Sequence, residues 1–243
     1  MIELLWLFFL AIPIGAWAVF LGASMFLSLP LFQVLFPQMS LAFWIANIKV
    51  GSLFRNGVAV FAAREKLDVK KAMIVTVPVV IGSIVGAQFA VSFPQIFVIP
   101  IIVVAILLTE FSATFQRFMT GRVFLIAAFL VGVYGGIFGA GVSLFIWALL
   151  KSKTVKDFDL ANVRTDGLFI EGLLTLSAVL VFFFNGQINW PVALVWSAGS
   201  MIGGFFGGKI IKVSGKWESS TQVWLLRLSF VVALGVSVVK VLS

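Results

Sequence analysis

Apolar runs of the kind that cross bilayers follow one another along this chain, at about 4–36, 41–61, 72–93, 95–109, 123–150, 160–184, 191–211 and 222–241. A spanning helix needs about 20 apolar residues to cross a hydrocarbon core of about 30 Å, where no water can satisfy an exposed backbone. The chain is therefore expected to be an all-α membrane protein, with the lipid bilayer as its first partner. Composition leaves little room for anything else: of 243 residues, 62% are hydrophobic and only 11% charged, against about 25% charged in soluble domains. The opening MIELLWLFFLAIP places Glu3 where a signal peptide would be basic, so it reads as the first membrane segment.

The sequence contains no Cys and no His. Disulfides, thiol chemistry and the usual soft metal ligands are thereby removed, and neither a metal nor another cofactor is expected. Intramembrane hydrolysis draws on His, Cys or an aspartate pair, whereas Asp166 is the single Asp within an apolar run. Nucleophilic and metal catalysis both lack their residues, so the chain is not expected to be an enzyme. A net charge of +8 would suit nucleic acid if it formed one soluble basic face. Here the basic residues are divided among several short breaks and the apolar runs themselves, and nucleic acid is not an expected partner.

Two runs are too long for one simple crossing. Residues 4–36 and 123–150 contain the small-residue breaks LGASM (21–25) and YGGIFGAGV (134–142). Cut at its break, the second run is expected to give two pieces of about 12 residues, each about 18 Å long as a helix and too short to cross. Lys and Arg collect on the cytoplasmic side of membrane proteins. In this chain they lie in 62–71 (Arg64, Lys66, Lys70, Lys71), 110–122 (Arg117, Arg122), 151–159 (Lys151, Lys153, Lys156) and 212–221 (Lys212, Lys216), while 37–40, 93–94 and 185–190 carry none. If both long runs are single spans, the loops at 151–159 and 212–221 land opposite 62–71; if both turn back as re-entrant hairpins, all four basic loops reach one side, and this second arrangement is expected.

Each half is then a broken helical hairpin plus three transmembrane helices. That is an odd number of net crossings, so the second half enters the membrane upside down. The expected fold is two inverted repeats, residues 1–109 and 123–243, joined by a cytoplasmic linker at 110–122 and residing in the cell membrane. Internal similarity supports the repeat. ANIKVGSLFRNG (46–57) recurs as ANVRTDGLFIEG (161–172) with an offset of 115 residues and five of twelve positions identical; GASM (22–25) answers GAGV (139–142), and GSIVG (82–86) answers GGFFG (203–207). Inverted repeats with interrupted helices mark secondary transporters, whose sites lie near the midplane between the repeats.

A Lys, Arg or Asp at the centre of a membrane helix costs roughly 2.5–3.5 kcal/mol to insert, so the charges within the runs need a reason. Lys49 lies nine residues into its run, and Arg164, its counterpart in the repeat, lies nearer the start of its own. Such cations either pair internally and snorkel or line a cavity and hold an anion, to which the planar fork of Arg is suited. Their shared offset favours the anion. Asn47 and Asn162 each precede a cation by two residues, about 200° round a helix, and serve either the site or a helix contact. Asp166 and Glu171 occur only in the second copy, opposite Gly51 and Asn56; they are ion-pair partners or, in coupled transport, proton carriers. At the breaks, Gly22, Ser24, Gly139 and Gly141 either pack closely or begin second arms whose free N–H groups face the midplane and attract an anion. GGFFGG (203–208) contains two GxxxG spacings and is read as a helix-packing face.

The break followed by a Pro-bearing helix (GASMFLSLP, 22–30), the Ala-Asn-x-Lys/Arg stretches and NGQINWPVALVWSAGSMIGGFFGGKI (185–210) together resemble the TauE/SafE family of sulfite exporter-like permeases over nearly the whole chain. GAGV stands where that family usually has a longer glycine run, and Trp147 stands opposite Pro30. The resemblance implies transport of sulfite, organosulfonates or related small anions. The expected function is thus a secondary transporter, exporting in direction because an inside-negative potential expels anions, working by alternating access on a small anionic substrate. A non-transporting membrane subunit or scaffold and an anion channel are the other readings, and a homo-oligomer is left open.

Overall fold

A computed structural model describes residues 2–22, 24–94, 97–110, 121–151, 160–213 and 219–242. Its α-helices are α1 (Ile2–Leu21), α2 (Met25–Leu35), α3 (Leu41–Ala63), α4 (Val69–Val91), α5 (Val98–Glu110), α6 (Gly121–Ile137), α7 (Val142–Leu150), α8 (Leu160–Phe184), α9 (Trp190–Val213) and α10 (Ser219–Leu242), with a 3-10 turn at Arg64–Lys66. Among the described residues there is no strand. Most of the linker read at 110–122, most of the basic loop at 151–159 and half of that at 212–221 lie outside the described residues.

The two long runs do break. Gly22 adopts φ 71°, and Gly139 and Gly141 adopt 86° and 71°, left-handed conformations that cost a residue with a Cβ roughly 1–2 kcal/mol. Chain reversal therefore falls at these glycines. The second run does not divide as its glycine pattern suggests, because YGGI (134–137) stays helical and only 138–141 leave the helix. The two arms are accordingly 17 and 9 residues long instead of two pieces of about 12. The glycines that looked like a break are used for packing, as described below. Both hairpins have one long and one short arm: α1 has 20 residues and α2 has 11, about 30 and 16 Å at 1.5 Å per residue.

Among the described residues, four helices, 2–21, 69–91, 162–184 and 190–210, are long and apolar enough to cross a membrane. Their surroundings are inverted relative to a soluble protein. On α1, Leu5, Trp6 and Phe9 face outward while Leu7, Ala11, Gly15 and Ala18 face inward. Small residues matter inside because lipid offers no hydrophobic reason for helices to associate, so packing depends on close backbone approach.

The glycine contacts reveal helix order and direction. Gly82 and Gly86 of α4 lie against the carbonyls of Phe129 and Val133 on α6, and Gly132 and Gly136 of α6 lie against Val79 and Ser83. On α9, Gly199 and Gly203 meet the Phe8 and Ile12 carbonyls of α1, while Gly204 and Gly208 meet those of Arg55 and Ala59 on α3. In each pair the residue numbers rise together, so the partners run parallel. α8 runs parallel to α4 (Asp68 to Asp166, Ser83 to Leu174) and antiparallel to α3 (Asn47 to Gln187, Arg55 to Glu171). The helices therefore contact in the order α1, α9, α3, α8, α4, α6. The first three run one way and the last three the other, and successive helices alternate between the two halves of the sequence. One hairpin enters this bundle from each end.

Candidate functional site

The central seam of that order is α3 against α8, and its inner face carries charge. Arg55 of α3 is 3% exposed and Glu171 of α8 is 8% exposed. Arg55 Nη2 lies 3.1 Å from Glu171 Oε1. Its Nη1 donates to Ser24 Oγ at 2.9 Å, and Nε and Nη2 donate to Asn56 Oδ1 at 3.0 and 2.9 Å. The other carboxylate oxygen, Glu171 Oε2, accepts a hydrogen bond from Ser143 Oγ.

Ser24 directly precedes the short arm of the first hairpin, and Ser143 belongs to the first turn of the short arm of the second. Both hairpin tips thus converge on one buried ion pair. They also touch each other: a Cβ on Gly22 would lie 2.6 Å from Ser143 Cβ, so glycine is required here by both space and backbone conformation. Beside the pair, Asn56 Nδ2 is buried with no hydrogen-bond partner among the described residues. Asn56 also lines a cavity of about 200 Å³ in the α3/α8 seam, together with Gly57, Phe169 and Gly172.

The remaining predicted residues fall around this centre. Lys49 Nζ donates to the Gly135 carbonyl at 2.6 Å, in the last turn of α6, where helix carbonyls lack internal partners. Gly139 adjoins the same ammonium, since a Cβ there would be 3.4 Å from Lys49 Nζ. The Arg164 guanidinium sits 5.5 Å from the Phe20 ring, at the end of α1, and 5.9 Å from the Trp147 ring. Lys49 thus addresses the second hairpin, from the opposite half of the sequence, whereas Arg164 lies against both, Phe20 of the first and Trp147 of the second. Gly141 supplies the left-handed turn before α7, and Asn162 is half-buried in the first turn of α8.

Asn47 and Asp166 have matching positions at opposite ends of the bundle. Asn47 Oδ1 accepts from Asn189 N at 3.0 Å, and the Asn189 side chain in turn accepts from Val192 N at the start of α9. Asp166 Oδ1 accepts from Asp68 N at 2.8 Å, and Asp68 caps α4 by accepting from Lys71 N. Each side chain braces the residue that caps a neighbouring helix. Replacing Asn47 by Ala leaves the Asn189 N–H without its acceptor and is expected to cost about 1–3 kcal/mol, read as a lower unfolding midpoint in detergent.

Arg55, Asn56 and Ser143 are functional candidates that sequence reasoning passed over. Arg55 lies deep in the 41–61 run, within the quoted repeat, but opposite Ile170 in the second copy. Selecting by what both copies share removed it. The usable signal was depth alone, because a cation that far into an apolar run needs a partner wherever the repeat places it.

The family model for "Sulfite exporter TauE/SafE" matches residues 6–241. The chain belongs to the TauE/SafE family. A "Probable membrane transporter protein" of Haemophilus influenzae is 32% identical over 92 residues, covering 38% of this chain and 35% of that protein. The aligned part thus spans about a third of that relative's length. No solved structure matches the chain. Among TauE/SafE proteins this one is a multi-pass membrane protein, and its matched region contains both hairpins, the six-helix order and the Arg55–Glu171 pair.

Proposed function

We propose that this TauE/SafE protein is a secondary transporter of small oxyanions such as sulfite or organosulfonates, in the exporting direction. The observation that carries this reading is the convergence of both hairpin tips on the buried Arg55 guanidinium. Arg55 is the principal ligand, with Ser24, Asn56 and Ser143 as neutral donors around it. A guanidinium presents a flat, forked set of donors that suits an oxyanion better than a point charge does. Lys49 adds positive potential at the second hairpin and Arg164 adds it between the two. Gly22, Gly139 and Gly141 permit the sharp turns, Asn47 and Asp166 hold the helices that frame the site, and Asn162 stands in the first turn of α8.

The parallel and antiparallel directions described above support reading residues 1–109 and 123–243 as inverted repeats. Rocking of one hairpin and its partner helices against the other then opens the site to each side in turn. With the basic loops cytoplasmic in the cell membrane, the potential favours anion exit by about 2.3 kcal/mol per charge per 100 mV, and export needs no coupled ion.

Purified protein on a solid-supported membrane, challenged in turn with sulfite, an organosulfonate, a dicarboxylate and chloride, tests this. Currents evoked by the sulfur oxyanions and saturating with concentration are the expected result. Silence to every anion from folded protein overturns transport and leaves a scaffold role. A steady conductance far above what μs-to-s conformational steps permit makes the protein a channel.

A further inference from the structure

We infer that Glu171 is a tethered occupant of the anion site, holding Arg55 and Ser143 where a substrate oxyanion binds and leaving them when substrate arrives. The inference rests on the proposed transport function and assigns the site its internal competitor. A carboxylate and a sulfonate present the same face to a guanidinium, with coplanar acceptor oxygens at similar spacing. Glu171 uses both of its oxygens in this way, Oε1 on Arg55 of α3 and Oε2 on Ser143 of the second hairpin. It thereby bridges the two moving parts of the molecule across the α3/α8 seam.

Asn56 supplies the independent observation. Its Oδ1 is engaged by Arg55, yet Nδ2 is buried and has no partner among the described residues. A buried donor left unpaired is costly. A carboxylate has two oxygens and both are committed, whereas a sulfonate or sulfite has three. The third oxygen gives Asn56 Nδ2 its acceptor, at the edge of the α3/α8 cavity.

Displacement has a charge consequence. Once the substrate holds Arg55, Glu171 loses its ion-pair partner, and Lys49 of α3 is the cation left to act on it. The charged groups that act on it are Arg55 and Lys49 of α3; on α8 itself Asp166 and Arg164 lie five and seven residues before it, and Tyr134 of α6 gives its hydroxyl to the Ala140 carbonyl. α4 contributes Ser83, which bonds the Leu174 carbonyl, and the hairpin tips contribute Ser24 and Ser143.

The test is calorimetric titration of the purified full chain with methanesulfonate and, in parallel, with acetate. Glu171→Gln should bind methanesulfonate at least tenfold more tightly than the wild type. Acetate, lacking the third oxygen, should bind the wild type more weakly than methanesulfonate. Weaker or equal binding by Glu171→Gln overturns the tether and makes Glu171 a positioning residue for Arg55. Should that variant not fold, acetate binding the wild type as tightly as methanesulfonate overturns the inference equally. Absence of methanesulfonate and sulfite binding in both proteins, each shown to be folded, overturns the anion site itself.

Discussion

Replacing Arg55 by Gln is expected to abolish anion-evoked current and to lower stability by about 3–5 kcal/mol. The size of the second effect comes from what is left behind. Removing one member of a buried ion pair strands the other, and desolvation of an uncompensated charge outweighs the hydrogen bonds lost with it. Glu171 is 8% exposed and has Arg55 as its ion-pair partner. The double variant Arg55→Gln/Glu171→Gln should therefore unfold at a midpoint closer to that of the wild type, because two neutral amides can hydrogen-bond across the same gap. Its current should remain absent, since the guanidinium is gone. Thermal unfolding in detergent and solid-supported-membrane currents, measured on both single variants and the double, complete the cycle. Additive losses of stability would show that the two side chains do not act as a pair.

A comparable loss of structure is expected from Gly86→Leu, at a position with no charge. A Cβ at Gly86 would lie 2.0 Å from the Val133 carbonyl oxygen, and at Gly132 one would lie 2.1 Å from that of Val79. Backbone cannot rotate aside as a side chain can, so α4 and α6 must separate along the contact. Four glycines share that contact, and α6 also presents the Gly135 carbonyl to Lys49. Its displacement exposes the Lys49 ammonium to the membrane interior without that partner. A loss exceeding about 4 kcal/mol places the substitution among the severe class, and the expected readout is the absence of a monodisperse peak on size-exclusion chromatography. Gly57→Ala provides the contrast, because nothing lies within 4 Å of a Cβ there. Helix propensity then predicts a gain of up to about 1 kcal/mol. Equal behaviour of the two variants would refute the close-packing account of the α4–α6 contact.

The fold was legible in the sequence where local chemistry decides it. Helix positions follow the apolar runs closely, since a membrane admits few alternatives to helix, and the breaks at Gly22 and at 138–141 follow from residues that tolerate positive φ. The division of the second hairpin was not legible. Gly135 and Gly136 have the composition of a break but remain in α6, where Gly136 meets the Ser83 carbonyl and Gly135 lies against Leu174 and Val142. A glycine in a membrane helix is equally a turn residue and a packing residue, and only its neighbour distinguishes the two.

The site divides in the same way. Lys49, Arg164, Asp166 and Glu171 announce themselves by the cost of burying charge, and Ser24 by its place at a hairpin tip. Their partners do not. Glu171 lies seven residues from Arg164 on one helix, the kind of pairing that sequence spacing suggests, yet it bonds Arg55, 116 residues away. The repeat points to features present in both halves, whereas an ion pair needs opposite charges from the two halves, and so Arg55 has no counterpart in the second copy. Sequence alone determined that this chain is a bundle of membrane helices with two interrupted hairpins and buried charges, because insertion energetics and glycine backbone freedom are local properties. Tertiary structure alone decided which charges meet and which glycines pack, because α3 and α8 are brought face to face by contacts that alternate between the halves of the chain, and no local pattern encodes which pair meets.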